Sequence, residues 1–167
     1  MNDPERLARS KNHFELFSLP VRFSIDRNCL ESRYIELARM AHPDFAGSDP
    51  LKQSLAASLQ ARINDAYFTL GDDLARARYL LELSGVSIES ARVAPEIMHR
   101  VFELRESLSL ARSSNDEQGA SAIRAEVGRW MDELMANIGR RLDEGERGPE
   151  ITESIASARY IARIKAV

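Results

Sequence analysis

His42, Pro43 and Asp44 set an imidazole and a carboxylate on either side of a rigid ring. A carboxylate in a turn beside a proline presents two acceptor oxygens to a guanidinium fork at little entropic cost. The same residues make a poor metal site, because no His, Glu or Cys set stands around them at ligand spacing. His13, His42 and His99 are scattered over distant segments. The chain also has no glycine-rich phosphate loop and no Ser/His/Asp arrangement. It therefore reads as a binding protein rather than an enzyme, with neither cofactor nor metal expected.

A second constellation begins near Ala94. Ile97, Val101, Leu104, Leu108 and Ala111 are spaced four, three, four and three apart, a seam suited to near-antiparallel helix packing. Met98 and Phe102 project about 100° and 140° away from Ile97, and Leu110 about 220°. The local seam does not require these apolar residues. His99, Glu103 and Glu106 surround them, giving an apolar centre with a polar rim, the anatomy of a binding patch. The alternative is that neighbouring helices bury Met98 and Phe102, since a wide apolar face is normal in bundles. Tyr160 points away from the stripe formed by Ile151, Ile155 and Ala158, which predicts exposure.

The elements that must position these groups are all helical. Phe14, Leu16, Phe17 and Leu19 form a short apolar turn closed by Pro20. Leu30, Tyr34, Leu37, Ala38 and Ala41 recur with the period of a helix buried on one face, over about 26–41, with Ser24 or Asp26 as its cap. Pro43 stops it, since it has no N–H to give and forces His42 out of the helical region. Gly47 and Ser48 mark a loop, Asp49 is placed to cap the next helix, and Pro50 stands at its first position. From Leu51 the series Leu55, Leu59, Ile63, Ala66 and Leu70 runs about five turns to Gly71. Helices 26–41 and 51–70 thus predict an antiparallel hairpin with His-Pro-Asp at its tip. Asp72 or Asp73 caps a further helix that Gly85 stops. The pattern loosens around 85–93, dividing the chain into 1–85 and 86–167. The second half reads as three helices, about 94–112, 116–143 and 150–165. Ile123, Val127, Trp130, Leu134 and Ile138 carry the seam of the middle one, and Ile151, Ile155, Ala158 and Ala162 that of the last. No strand pattern competes, so the expected fold is all-α.

The 167 residues, 44% hydrophobic, suffice for a real core. A net charge of −3 with no basic block argues against a general nucleic-acid or anionic-membrane binder and favours protein partners. Cys29 is the only cysteine, so an internal disulfide and paired-cysteine zinc sites are excluded, and the residue reads as a small apolar filler. No apolar run is long enough to span a bilayer, and Asp3 and Glu5 do not suit a transit peptide. A cytoplasmic bacterial protein is expected.

A helix ending in His-Pro-Asp, followed by a loop and a second long helix, resembles a J-domain, the module that stimulates DnaK-type chaperone ATPases. The opening Asn12-His13-Phe14-Glu15-Leu16-Phe17-Ser18-Leu19-Pro20 is similar to that of the HscB-type J-proteins of iron–sulfur cluster assembly. Ile63-Asn64-Asp65-Ala66-Tyr67-Phe68-Thr69-Leu70 and Arg76-Ala77-Arg78-Tyr79-Leu80-Leu81 match the same subfamily, and the second half fits its helical C-terminal domain. The resemblance implies an N-terminal J-domain and a C-terminal three-helix bundle. It implies that His42, Pro43 and Asp44, with Arg33 and Arg39 on the preceding helix, engage an HscA- or DnaK-type chaperone. It also implies that Met98, His99, Phe102, Glu103, Glu106 and Tyr160 bind the iron–sulfur scaffold IscU. Several positions depart from the subfamily: Phe45 stands where many J-domains have lysine, His99 replaces a methionine, Phe102 a leucine, and Leu110 an acid. Arg33 and Arg39 are also consistent with ordinary solvated helix charges. Two other readings stay open, a J-protein with a different client and a helical adaptor in which His-Pro-Asp is incidental.

Overall fold

The computed structural model describes residue 7, residues 10–42 and residues 49–164. Pro43 and Asp44 lie outside the described residues, as do Phe45, Gly47, Ser48 and the end of the last expected helix at Lys165. Seven helices follow one another among the described residues, with no strand: α1 His13–Leu16, α2 Arg27–Met40, α3 Pro50–Gly71, α4 Asp73–Leu83, α5 Pro95–Ser113, α6 Glu117–Asp143 and α7 Pro149–Ala162. The chain divides into two compact units, Met1–Arg76 and Ala77–Val167. The division falls inside α4, before the loosened pattern around 85–93. Gly85 stands just after the end of α4, as the sequence predicts. Its φ of +74° suits a residue without a side chain, and the turn lets Val86 N–H donate to the Leu81 carbonyl at 2.9 Å.

In the first unit the helices start where their caps dictate. Asp26 accepts from the N–H groups of Asn28 and Cys29 at 2.9 and 3.2 Å, and Asp49 accepts from Leu51 at 2.9 Å with Pro50 in the first turn. Contacts between α2 and α3 fall in residue number on one helix as they rise on the other. Arg27 pairs with Asp73 at 2.6 Å just beyond α3, while Tyr34 donates to Asn64 at 3.2 Å and stacks on Tyr67 at 4.2 Å. The hairpin is therefore antiparallel, and His42 and Asp49 stand at the same end of it. Phe14, Phe17, Leu30, Leu37, Ile63 and Leu70 are buried in this unit.

The α3 seam is buried only over Ile63, Ala66 and Leu70. Leu59 is half-buried, and Leu51 and Leu55 are exposed. Given the pairing register, these first two turns of α3 run past the end of α2 at Met40, so α2 offers no residue to cover them. Cys29 is half-buried rather than sealed in the core.

Arg76 is buried and serves the first unit structurally. Its Nε donates to the Phe23 carbonyl at 2.8 Å, Nη1 donates to the Leu70 carbonyl, and Nη2 pairs with Asp73 at 2.5 Å. The guanidinium also sits over the Phe23 ring at 4.6 Å.

The second unit contains a three-helix bundle in which α5, α6 and α7 all touch one another. The predicted α5 seam is buried at Val101, Leu104, Leu108 and Ala111. On α6 the buried face is turned from the one expected: Met131 and Met135 join Val127 and Ile138 inside, while Trp130 and Leu134 are half-exposed. A helix wedged between two partners buries an arc wider than one stripe, and a single period does not reveal where that arc is centred. The short helix α7 is buried nearly all round, with Thr152 and Ser157 inside beside Ile151, Ile155 and Ile161. Among the described residues no helix is long and apolar enough to cross a membrane.

Candidate functional site

In the first unit the described candidates are Arg33, Arg39 and His42. Arg33 is half-buried and donates to Glu36 at 3.0 Å one turn along α2, so part of its charge is already answered. Arg39 is exposed, with no ion-pair partner among the described residues. His42 is exposed directly after α2, its N–H donating to the Arg39 carbonyl at 3.4 Å. Arg39 and His42 thus share the end of the hairpin from which the motif continues.

In the second unit the α5 candidates are on the surface. Met98 is 41% exposed and Phe102 62%, while Leu110, further along the helix, is 70% exposed. Apart from Leu83, these are the exposed large apolar residues described in this unit. Their spacing of four and eight residues, at 1.5 Å per residue, makes a stripe about 18 Å long. The neighbouring helices do not cover it. His99 and Glu103 pair at 3.2 Å along its edge, and Glu106 is exposed beside it. The other flank of α5 is engaged with α6, since Arg100 pairs with Glu126 at 3.1 Å and lies over the Trp130 ring at 4.3 Å.

Tyr160 is half-buried rather than freely exposed. It lines a cleft of about 920 Å³ together with Met98, Ile97, Trp130 and Leu134. One candidate from α5 and the candidate from α7 therefore meet on a single concave surface. Trp130 and Leu134 are absent from the set read from the sequence, because their seam spacing marked them as core. No pattern in one helix alone tells a core residue from a cleft wall.

Near the cleft Arg141 donates from Nε to Glu146 at 2.7 Å, from Nη2 to the other oxygen of the same carboxylate, and from Nη1 to Ser154 at 3.1 Å. That hydrogen bonding holds the Glu146 carboxyl below its ordinary range and lifts the Arg141 guanidinium above its own. Glu150 adds a second carboxylate 3.5 Å from Arg141. Among the described residues no cluster of three or more His, Cys, Asp or Glu side chains could hold a metal ion.

Residues 93–167 match the family model described as the HSCB C-terminal oligomerisation domain. The chain is 34% identical over 159 residues to the co-chaperone protein HscB homolog of Vibrio vulnificus strain YJ016, covering 92% of each. It is 31% identical over 160 residues to the corresponding homolog of Burkholderia mallei strain SAVP1, covering 93% of this chain and 90% of that relative. Among solved structures, chaperone HscB from Vibrio cholerae superposes with a TM-score of 0.82 at 32% identity over 93% of both chains. Human co-chaperone protein HscB superposes with a TM-score of 0.84 at 25% identity over 95% of this chain and 80% of that one. The shared architecture is an all-α J-domain followed by a helical C-terminal domain, and with it the chain belongs to the HscB family of co-chaperones.

Proposed function

We propose that this co-chaperone stimulates the ATPase of an HscA- or DnaK-type chaperone through its J-domain and delivers an IscU-type iron–sulfur scaffold to it. In this reading Asp44 offers its two oxygens to a chaperone guanidinium, Pro43 sets the shape of the turn, and His42 contacts the partner. Arg39 and the half-neutralised Arg33 meet an acidic surface on the chaperone, the charge pairing acting mainly on encounter rate. Met98, His99, Phe102, Glu103, Glu106 and Tyr160 hold the scaffold. The observation that carries the reading is the uncovered Met98, Phe102 and Leu110 stripe, in a chain matched over nine-tenths of its length to HscB co-chaperones. An exposed apolar strip of this kind on a small bundle supports a partner site there. Holding both partners on one molecule raises the effective concentration of client at the chaperone without any new contact.

The test is single-turnover ATP hydrolysis by an HscA-type chaperone in the presence of IscU, with either the native protein or Asp44→Ala. Stimulation by the native protein that the variant loses is the expected result. If neither form stimulates an HscA- or DnaK-type chaperone, the co-chaperone mechanism is wrong.

A further inference from the structure

The fold treats the methionines of this chain unequally. Met131 and Met135 are buried in the second unit, and Met40, the last residue of α2, is half-buried. Met1 lies outside the described residues. Met98 is 41% exposed and lines the cleft of about 920 Å³ with Trp130 and Tyr160. An opening of that size admits hydrogen peroxide, a molecule little larger than water. Met98 also stands one helical turn from the exposed Phe102, in the apolar centre of the α5 face. Among the described methionines, the thioether most open to an oxidant is thus the one on which an apolar partner would rest.

From this juxtaposition we infer that Met98 is a peroxide-sensitive site whose oxidation to the sulfoxide weakens docking of the scaffold. The inference rests on the scaffold reading given under Proposed function. In the oxidation step a sulfur lone pair attacks one oxygen of hydrogen peroxide. The S–O bond forms and the O–O bond breaks, and the departing hydroxide takes the proton of the transferred oxygen to leave as water. Sulfur gives up two electrons and the peroxide takes them. The product exchanges a flexible apolar side chain for a polar one with a strong acceptor oxygen. Water satisfies that oxygen in the free protein, and an apolar partner face must strip the water away on docking. Met98 is not part of the buried core, so the cost falls on binding rather than on folding. Sulfoxide reductases return the thioether, which makes the loss reversible.

The experiment exposes the full-length protein to dilute hydrogen peroxide and then removes the peroxide before any scaffold is added. Dithiothreitol next restores any oxidised Cys29 thiol and leaves sulfoxides in place. Peptide mass spectrometry locates the added oxygen, and calorimetry measures Kd for an IscU-type scaffold before and after treatment. Met98 should oxidise ahead of Met131 and Met135, with Kd weakened by about tenfold and the melting temperature almost unmoved. Methionine sulfoxide reductase should restore the starting Kd. In Met98→Leu, the Kd measured before peroxide, whatever its value, should be the same afterwards. An oxidised Met98 with unchanged Kd overturns the inference and leaves the scaffold reading standing. So does a Met98→Leu protein that loses as much affinity to peroxide as the native one, or a Met98 that resists a dose oxidising Met131 and Met135. Absence of scaffold binding by the untreated protein overturns the scaffold reading and this inference together.

Discussion

Phe102→Ala should separate binding from folding. Phe102 is 62% exposed, whereas Leu108, two turns away on the same helix, is 2% exposed. A phenylalanine buries about 150–250 Å² when fully covered, so roughly 120 Å² of Phe102 remains available to a partner. At ~25 cal/mol per Å² that area corresponds to about 3 kcal/mol on complete burial. Alanine keeps the Cβ, and ordering the side chain costs part of the gain, so the expected loss is about 2 kcal/mol, roughly 30-fold in Kd. The part of Phe102 already covered within the bundle is small, and its removal should cost about 1 kcal/mol of stability. Leu108→Ala, by contrast, opens a cavity in the core and should cost about 2–5 kcal/mol. The assay pairs calorimetric titration of an IscU-type scaffold with thermal melts of both variants. Phe102→Ala should lose affinity and melt within a few degrees of the native protein, while Leu108→Ala should melt far lower. A Phe102→Ala protein that melts like Leu108→Ala, or that binds the scaffold within threefold of native, would refute the assignment of α5 as an open docking face.

Two further substitutions test the scaffolding of each unit. Arg76→Met should destabilise the first unit by about 3–5 kcal/mol, since it strips the Phe23 and Leu70 carbonyls of their donor and leaves Asp73 with Arg27 alone; urea titration followed by circular dichroism measures this, and a loss under 1 kcal/mol would contradict it. Glu146 titrates lower in the folded chain than in the unfolded one, so its contribution is present above the unfolded carboxylate value of about 4.3 and disappears as pH falls through the folded value. Glu146→Gln should therefore melt below the native protein at pH 7 and converge with it in acid, and a difference independent of pH would show that the Arg141 pairing is not its source.

The helices and their caps were legible because they depend on local chemistry. Asp26 and Asp49 cap the helices that follow them, Pro50 opens the second of these, and Gly85 closes α4, each within a few residues of the element it controls. The J-domain hairpin followed from two such helices joined by a proline-stopped loop. Legibility ended where one face had to be chosen among several partners. Periodicity groups Leu51 and Leu55 with Ile63 correctly, yet only the length of α2 decides that the first two stay exposed. It groups Trp130 and Leu134 with Val127, yet α5 and α7 together turn α6 so that Met131 and Met135 take the interior.

The same competition shapes the candidate site. Met98 and Phe102 could be recognised as apolar residues surplus to the α5 seam, because one helix contains both the seam and the surplus. The cleft could not, since its walls come from three helices and each wall looks like core in its own stretch of sequence. Tyr160 illustrates the intermediate case. It turns away from the α7 stripe as its position requires, but a helix buried nearly all round has no fully open side, so the ring ends half-covered on the cleft. In the proposed docking surface each wall residue stands on a helix whose opposite face is packed into the bundle, which holds the walls stiff. Stiff walls reduce the ordering cost of capture, which favours insertion of a partner's side chains over adaptation of the cleft to them.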